Sequence, residues 1–249
     1  MSESPLIITS MRELYARDQS CARAWFRRYH AAASTAFPDP DDLVPLEEYE
    51  TYSTHPGPWE IAMLCSGDQL LGGCHWAVLE TASGRHFYAG GLVWVDRRFR
   101  GRGLAAHMID HVLGAAIAGH PDLLGELSTV ADPRLMTDEQ VQQSTMNPQD
   151  RLEYWAHKGL LAFDAPYIEP SLSPGQADVR HYMAMMRPLQ ESFRSISRAQ
   201  YLEILRAYFD SFDPTGGTDS RTLPAYREIS ERTPPEVRLI PFGTPRAHV

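Results

Sequence analysis

The sequence predicts an α/β protein with a helical C-terminal extension. Three observations carry that expectation: apolar segments of strand length recur at 59–64, 71–79 and 86–95, a helix-periodic run follows at 104–116 directly after an Arg/Gly-rich turn, and a second helical face appears at 201–212. With 249 residues, 43% of them hydrophobic, the chain can bury a full core without a disulfide scaffold or a structural metal. Its three cysteines, Cys21, Cys65 and Cys74, show neither CxxC nor metal-ligand spacing, so no metal is expected.

The elements can be justified in chain order. Leu14, Cys21, Trp25 and Phe26 line part of a helical stripe over 11–33. Phe37-Pro-Asp-Pro-Asp-Asp42 is turn material, and a short acidic helix is expected at 46–52, ahead of the Pro56-Gly57-Pro58 break. The segments 59–64 and 71–79 flank Ser66-Gly67-Asp68, which predicts antiparallel neighbours joined by a tight turn. A third strand, 86–95, runs into Asp96-Arg-Arg-Phe-Arg-Gly-Arg-Gly103. Beyond it Leu104, Ala105, Met108, Ile109, Val112, Leu113 and Ala116 recur at helical spacing, closed by Gly119-His-Pro121.

The next strand is expected at 123–130, then a polar, proline-containing loop over 131–150 and a short helix at 151–157 stopped by Gly159. Final strands are expected at 160–168 and 179–186. Tyr201, Ile204, Leu205, Tyr208, Phe209 and Phe212 then make an amphipathic face that reads as core, before a Gly/Thr-rich stretch at 213–222 and a proline-rich tail. One domain over 1–188 is expected, with 189–249 as an extension packed on it.

Charge restricts the partners. The net charge of −9 argues against nonspecific attraction to nucleic acid or anionic lipid, and no apolar run reaches the roughly 18 to 20 residues of a membrane span. The opening Met-Ser-Glu-Ser-Pro lacks the flank and apolar stretch of a signal peptide, so a cytoplasmic protein is expected. The distribution is uneven: 30–84 contains nine acids and no Lys or Arg, whereas Arg85, Arg97, Arg98, Arg100 and Arg102 fall within eighteen residues. That basic cluster is either a site for an anionic ligand or a solvated turn. The acids from Asp39 to Glu50 either draw a cationic molecule or form a solvated helix.

The strand, Arg/Gly turn and helix together favour the anionic ligand. Gly101 and Gly103 remove side chains where backbone amides can converge, and the first-turn donors of the following helix are otherwise unpaired, which suits a phosphate or pyrophosphate. Arg98, Arg100 and Arg102 add positive charge. Neither GxGxxG nor a P-loop is present. Arg98-Phe-Arg-Gly101-Arg-Gly103, following Gly91-Leu-Val-Trp-Val-Asp96, resembles the Arg/Gln-x-x-Gly-x-Gly/Ala motif of the GCN5-related N-acetyltransferase (GNAT) superfamily. Arg151-Leu-Glu-Tyr-Trp-Ala-His-Lys-Gly-Leu160 is similar to that family's later Arg-x-x-Phe-Tyr-x-x-x-Gly-Phe segment. The resemblance covers roughly 5–188.

The resemblance implies a mixed twisted sheet flanked by helices, with the pantetheine arm of acetyl-CoA or another acyl-CoA between the fourth and fifth strands. It implies backbone contacts from Val93 and Val95 and a pyrophosphate held around Gly101, Gly103 and Leu104. Arg98 and Arg102 would assist there, and Asn147 would reach the cofactor arm. It further implies direct acyl transfer to an amine without a covalent enzyme intermediate, most simply acetyl to a small-molecule primary amine, and homodimerisation. A larger donor, a protein acceptor and a nonenzymatic CoA-binding module are the alternatives.

The acid and base follow the family pattern less closely, because its catalytic Tyr position is Trp155 here, which has no hydroxyl. Tyr154 is the adjacent candidate acid and Tyr167 a second. Glu126 on the expected fifth strand either orders the amine or lies on a solvent face. Glu60 and Glu80 are secondary candidates, and His75 is either a proton relay or a structural histidine. Cys65 and Cys74 read as core, and the His107/His111 pair lacks a third metal ligand.

Overall fold

The computed structural model describes residues 5–39, 42–43, 45–46, 57–171, 175–213 and 219–243. Residues 47–52 of the acidic helix expected at 46–52, and Asp41 before it, lie outside the described residues. The architecture is α/β, a mixed twisted sheet flanked by helices with a C-terminal helical extension. The chain forms two compact units, Met1–Val78 with Gly90–Pro121, and Leu79–Ala89 with Asp122–Val249.

In the first unit, strand β1 (Leu6–Ser10) leads into helices α1 (Met11–Arg17) and α2 (Gln19–Ala36). Ser10 caps α1 by accepting from Glu13 N at 3.0 Å, and Asp18 caps α2 by accepting from Cys21 N at 2.9 Å. Strand β2 (Trp59–Ser66) pairs antiparallel with β1 and with β3 (Gln69–Glu80), the last through a two-residue turn in which Gly67 has φ 57°. Strand β4 (His86–Val95) ends in a single turn of 3₁₀ helix over Arg97–Phe99 and then α3 (Leu104–Gly119).

Phe26, Tyr29 and Ala33 of α2 pack on Ile61, Met63 and Trp94. Glycine on β3 is what lets the helix come so close, since a Cβ at Gly73 would overlap the Tyr29 ring.

In the second unit the strands β5 (Gly125–Ala131), β6 (Leu161–Phe163), β7 (Tyr182–Pro188), β8 (Ser195–Ser197) and β9 (Glu236–Ile240) stand in the order β5-β7-β6-β9-β8, each neighbouring pair antiparallel. The start of β4 belongs here, where Leu124 N donates to His86 O at 2.9 Å. The helices are α4 (Asp138–Gln143), α5 (Pro148–His157), α6 (Arg198–Asp210) and α7 (Pro224–Arg232). Val130, Leu152, Leu160, Ala162, Met183 and Met185 form one core. The α6 face Tyr201, Ile204, Leu205, Tyr208 and Phe209 is buried, as its spacing predicts.

Several elements differ from expectation. The loop at 131–150 contains α4, started by a Thr137/Gln140 capping box. The strands expected at 160–168 and 179–186 are shorter or shifted, because Pro166 and Pro170 offer no N–H to a ladder, and among the described residues between them only a Glu169–Val179 bridge survives. The extension is not helical throughout: β9 adds to β6, and β8 to β9. Among the described residues no helix is long and apolar enough to cross a membrane.

Candidate active site

The basic turn of the first unit is built from the end of β4. Asp96 is anchored by its N–H to Leu71 O at 2.8 Å, and its carboxylate caps the 3₁₀ turn by accepting from Arg98 N at 2.9 Å. The same carboxylate holds the Arg98 side chain, through Nε at 3.1 and 3.3 Å and through a terminal nitrogen at 2.7 Å. Hydrogen bonding to Arg98, helped by its charge, holds the Asp96 carboxyl below its usual range. Arg100 Nε donates to Val95 O at 3.0 Å, so that carbonyl, a predicted pantetheine contact, already has a donor. Val93 is partly buried, and Leu104 is buried as the anchor of α3.

Gly101 and Gly103 have φ of 77° and 73°, a left-handed backbone that side chains other than glycine adopt at a cost. A Cβ at either position would meet nothing within 4 Å, so the turn faces open space. Gly103 occupies the α3 N-cap and offers no side chain to the first-turn amides. Those amides, with the exposed Arg98, Arg100 and Arg102, make a cradle for a negatively charged group.

The other candidates of this unit are interior or structural. His75 stacks on Tyr29 with ring centroids 5.6 Å apart, and its Nε2 is shut off from solvent. Burial, with a smaller contribution from His30, pushes its pKa down to about 3, which makes it a structural histidine rather than a proton relay. Burial pushes the Cys74 thiol up to about 12 and raises Cys65 as well, so neither is an activated nucleophile. Glu60 accepts from Arg12 N at 3.3 Å and pairs with its guanidinium at 3.5 Å. His107 and His111 are exposed on α3.

In the second unit Glu126 sits on β5 opposite Arg187 of β7, and the two form an ion pair at 2.7 Å. Glu126 is 2% exposed, so it does not occupy a solvent face. Arg187 also donates to Lys158 O at 3.4 Å, linking the carboxylate to the end of α5. Tyr154 lies on α5 with its ring edge-on to Trp155 at 5.2 Å and its hydroxyl out of solvent. Asn147 is the N-cap of α5, accepting from Gln149 N at 2.8 Å and Asp150 N at 3.4 Å, so its oxygen is engaged in the helix start. Tyr167 is buried and donates to Glu169, and burial, then the Glu169 charge, raises its pKa well above the ordinary value. Glu80 is exposed at the end of β3.

The Acetyltransferase (GNAT) family model matches residues 13–132, which include the whole basic turn. A Bacteroides thetaiotaomicron protein assigned to that family superposes with a TM-score of 0.52 over 76% of this chain and 89% of its own, at 12% identity. The chain has a fold of the GNAT type. An acetyltransferase from Thermus thermophilus gives a TM-score of 0.43 at 16% identity, over 76% of this chain and all of its own. A soil-metagenome aminoglycoside acetyltransferase solved with sisomicin gives 0.42 at 13% identity, covering 61% and 86%. No curated protein matches the sequence.

A GNAT fold implies acyl-CoA binding, and the basic turn fits its anionic end: the helix start has no side-chain cap, the glycines leave space, and charge surrounds both. Sequence reasoning missed two partnerships that define these sites. Asp96 carries a local signal, since its placement between the strand and the arginines is the N-cap pattern for the turn. Arg187 gave no local signal, since it meets Glu126 across 61 residues through strand register.

Proposed function

We propose that the protein is an acyl-CoA-dependent N-acyltransferase that moves an acetyl group from acetyl-CoA to the primary amine of a small molecule. The observation that carries this reading is the uncapped start of α3 behind two left-handed glycines, in a GNAT fold. Acyl-CoA supplies an activated thioester carbonyl when bound. The amides of 101–104 would hold its pyrophosphate, Val93 would orient the pantetheine through its backbone, and the Tyr154 hydroxyl would give a proton to the CoA sulfur as the C–S bond breaks, while the attacking amine's proton would pass to a base or water chain. Glu126, set in place by Arg187, orders the amine. Attack is direct, in keeping with cysteine thiols raised by burial.

A cationic amine suits the acidic stretch from Asp39 to Glu50 and the net charge of −9. The protein works in the cytoplasm, as a homodimer, with neither nucleic acid nor membrane as partner. The test is release of CoA thiol from acetyl-CoA against a broad panel of amines, with the acylated product identified by mass. Release that requires an amine supports transfer. Tight acetyl-CoA binding with no release across the panel would instead make the chain a CoA-binding module, the reading that Trp155 in the usual tyrosine position favours.

A further inference from the structure

We infer that Arg102, rather than Arg98, is the cation that meets a phosphate of the acyl-CoA nucleotide, and that Arg98 is an internal brace of the turn. The inference rests on the acyl-CoA reading above. A phosphate-binding arginine needs N–H donors that are not already engaged, because exchanging an existing charge-assisted pair for a new one gains little.

Arg98 fails that requirement. Its Nε and one terminal nitrogen lie on Asp96, its backbone N–H caps against the same carboxylate, and swinging it toward a ligand would leave the Asp96 anion unpaired beside incoming phosphate. Mutual hydrogen bonding and charge lower the Asp96 carboxyl and raise Arg98, so the pair stays ionised. Arg100 is partly engaged as well, through Nε on Val95 O.

Arg102 is placed differently. Among the described residues it makes no hydrogen bond or ion pair, yet its guanidinium is not undirected, lying over the Phe99 ring at 5.5 Å with Arg98 at 5.4 Å from the same ring. A cation–ring contact uses up no N–H donor in a hydrogen bond, so the Arg102 donors remain for a ligand. It sits between Gly101 and Gly103, at the open mouth of the uncapped helix start. Arg97 is also exposed, but it lies outside the glycine stretch and stacks on no ring among the described residues, so it serves as a charge-matched control.

The test is calorimetric binding of CoA and of 3′-dephospho-CoA to the full chain at about 0.05 and about 0.5 M NaCl, with thermal midpoints as a check on folding. Arg102→Ala is expected to weaken CoA binding about tenfold at low salt and to flatten its salt dependence. Arg97→Ala should stay within about twofold of wild type, and Arg98→Ala should keep the wild-type salt dependence even if the loosened turn binds more weakly. A loss confined to CoA assigns Arg102 to the 3′-phosphate, whereas an equal loss for both nucleotides assigns it to the pyrophosphate. Wild-type affinity and salt dependence in Arg102→Ala, or an equal loss in Arg97→Ala, would overturn the inference. A wild-type protein that binds neither nucleotide would sink the acyl-CoA reading instead.

Discussion

The basic turn after β4 and the Glu126–Arg187 pair use arginine in opposite ways. In the turn, four arginines are exposed around left-handed glycines and an uncapped helix, and one acid, Asp96, restrains one of them. On β5 and β7 a single arginine faces a single carboxylate that is 2% exposed, and the charge balance closes inside the protein. Residue type alone therefore says little about an arginine's role. An exposed cation with idle donors can serve a ligand, whereas one opposite a buried acid serves the scaffold, because an unpaired buried charge is strongly disfavoured.

The largest expected effect breaks the second region. Arg187→Ala should lower unfolding free energy by about 3 kcal/mol in urea titrations, since it strands the Glu126 carboxylate. Combining Arg187→Met with Glu126→Gln should recover most of that loss; no recovery would mean the pair is not what the substitution disturbed. Next, Tyr154→Phe is expected to lower kcat about a hundredfold while leaving the calorimetric Kd for acetyl-CoA unchanged. An unaltered kcat would remove Tyr154 as the acid.

On the turn, Gly103→Val should weaken acyl-CoA binding at least about tenfold, since a left-handed backbone costs a side-chain-bearing residue about 1–2 kcal/mol and the added bulk crowds the amides. A pH-dependent effect reports on His75. Its folded pKa lies near 3 and its ordinary value is 6.5, so the folded form stays neutral while the unfolded chain gains a proton as pH falls. Stability from this group is therefore complete above about pH 6.5 and declines below it, approaching about 1.4 kcal/mol per pH unit. Urea midpoints between about pH 4.5 and 7.5 should show that slope in wild type and lose it in His75→Gln; an identical slope in both would clear His75 as its source.

Local pattern made much of this protein legible. The helix at 104–119, the hairpin around Gly67 and the buried face of α6 follow from periodicity and turn chemistry, which act over a few residues. The proline-interrupted stretch 164–181 and the strands β8 and β9 were not legible, since three to five residues among prolines carry too little periodicity to signal a strand. Tyr167 shows the same limit within the candidate site. Its sequence neighbourhood suggests an acid, but its hydroxyl is turned to Glu169, with which it is buried.

By itself the sequence determined the strand–turn–helix and its glycines, because left-handed backbone and an uncapped helix start are properties of contiguous residues. Tertiary structure decided which charges stayed available: it put Arg187 opposite Glu126, enclosed His75 against Tyr29 and anchored Asp96 to β3. These outcomes depend on partners brought together from distant parts of the chain, and the strength of a charge in a protein depends on what surrounds it.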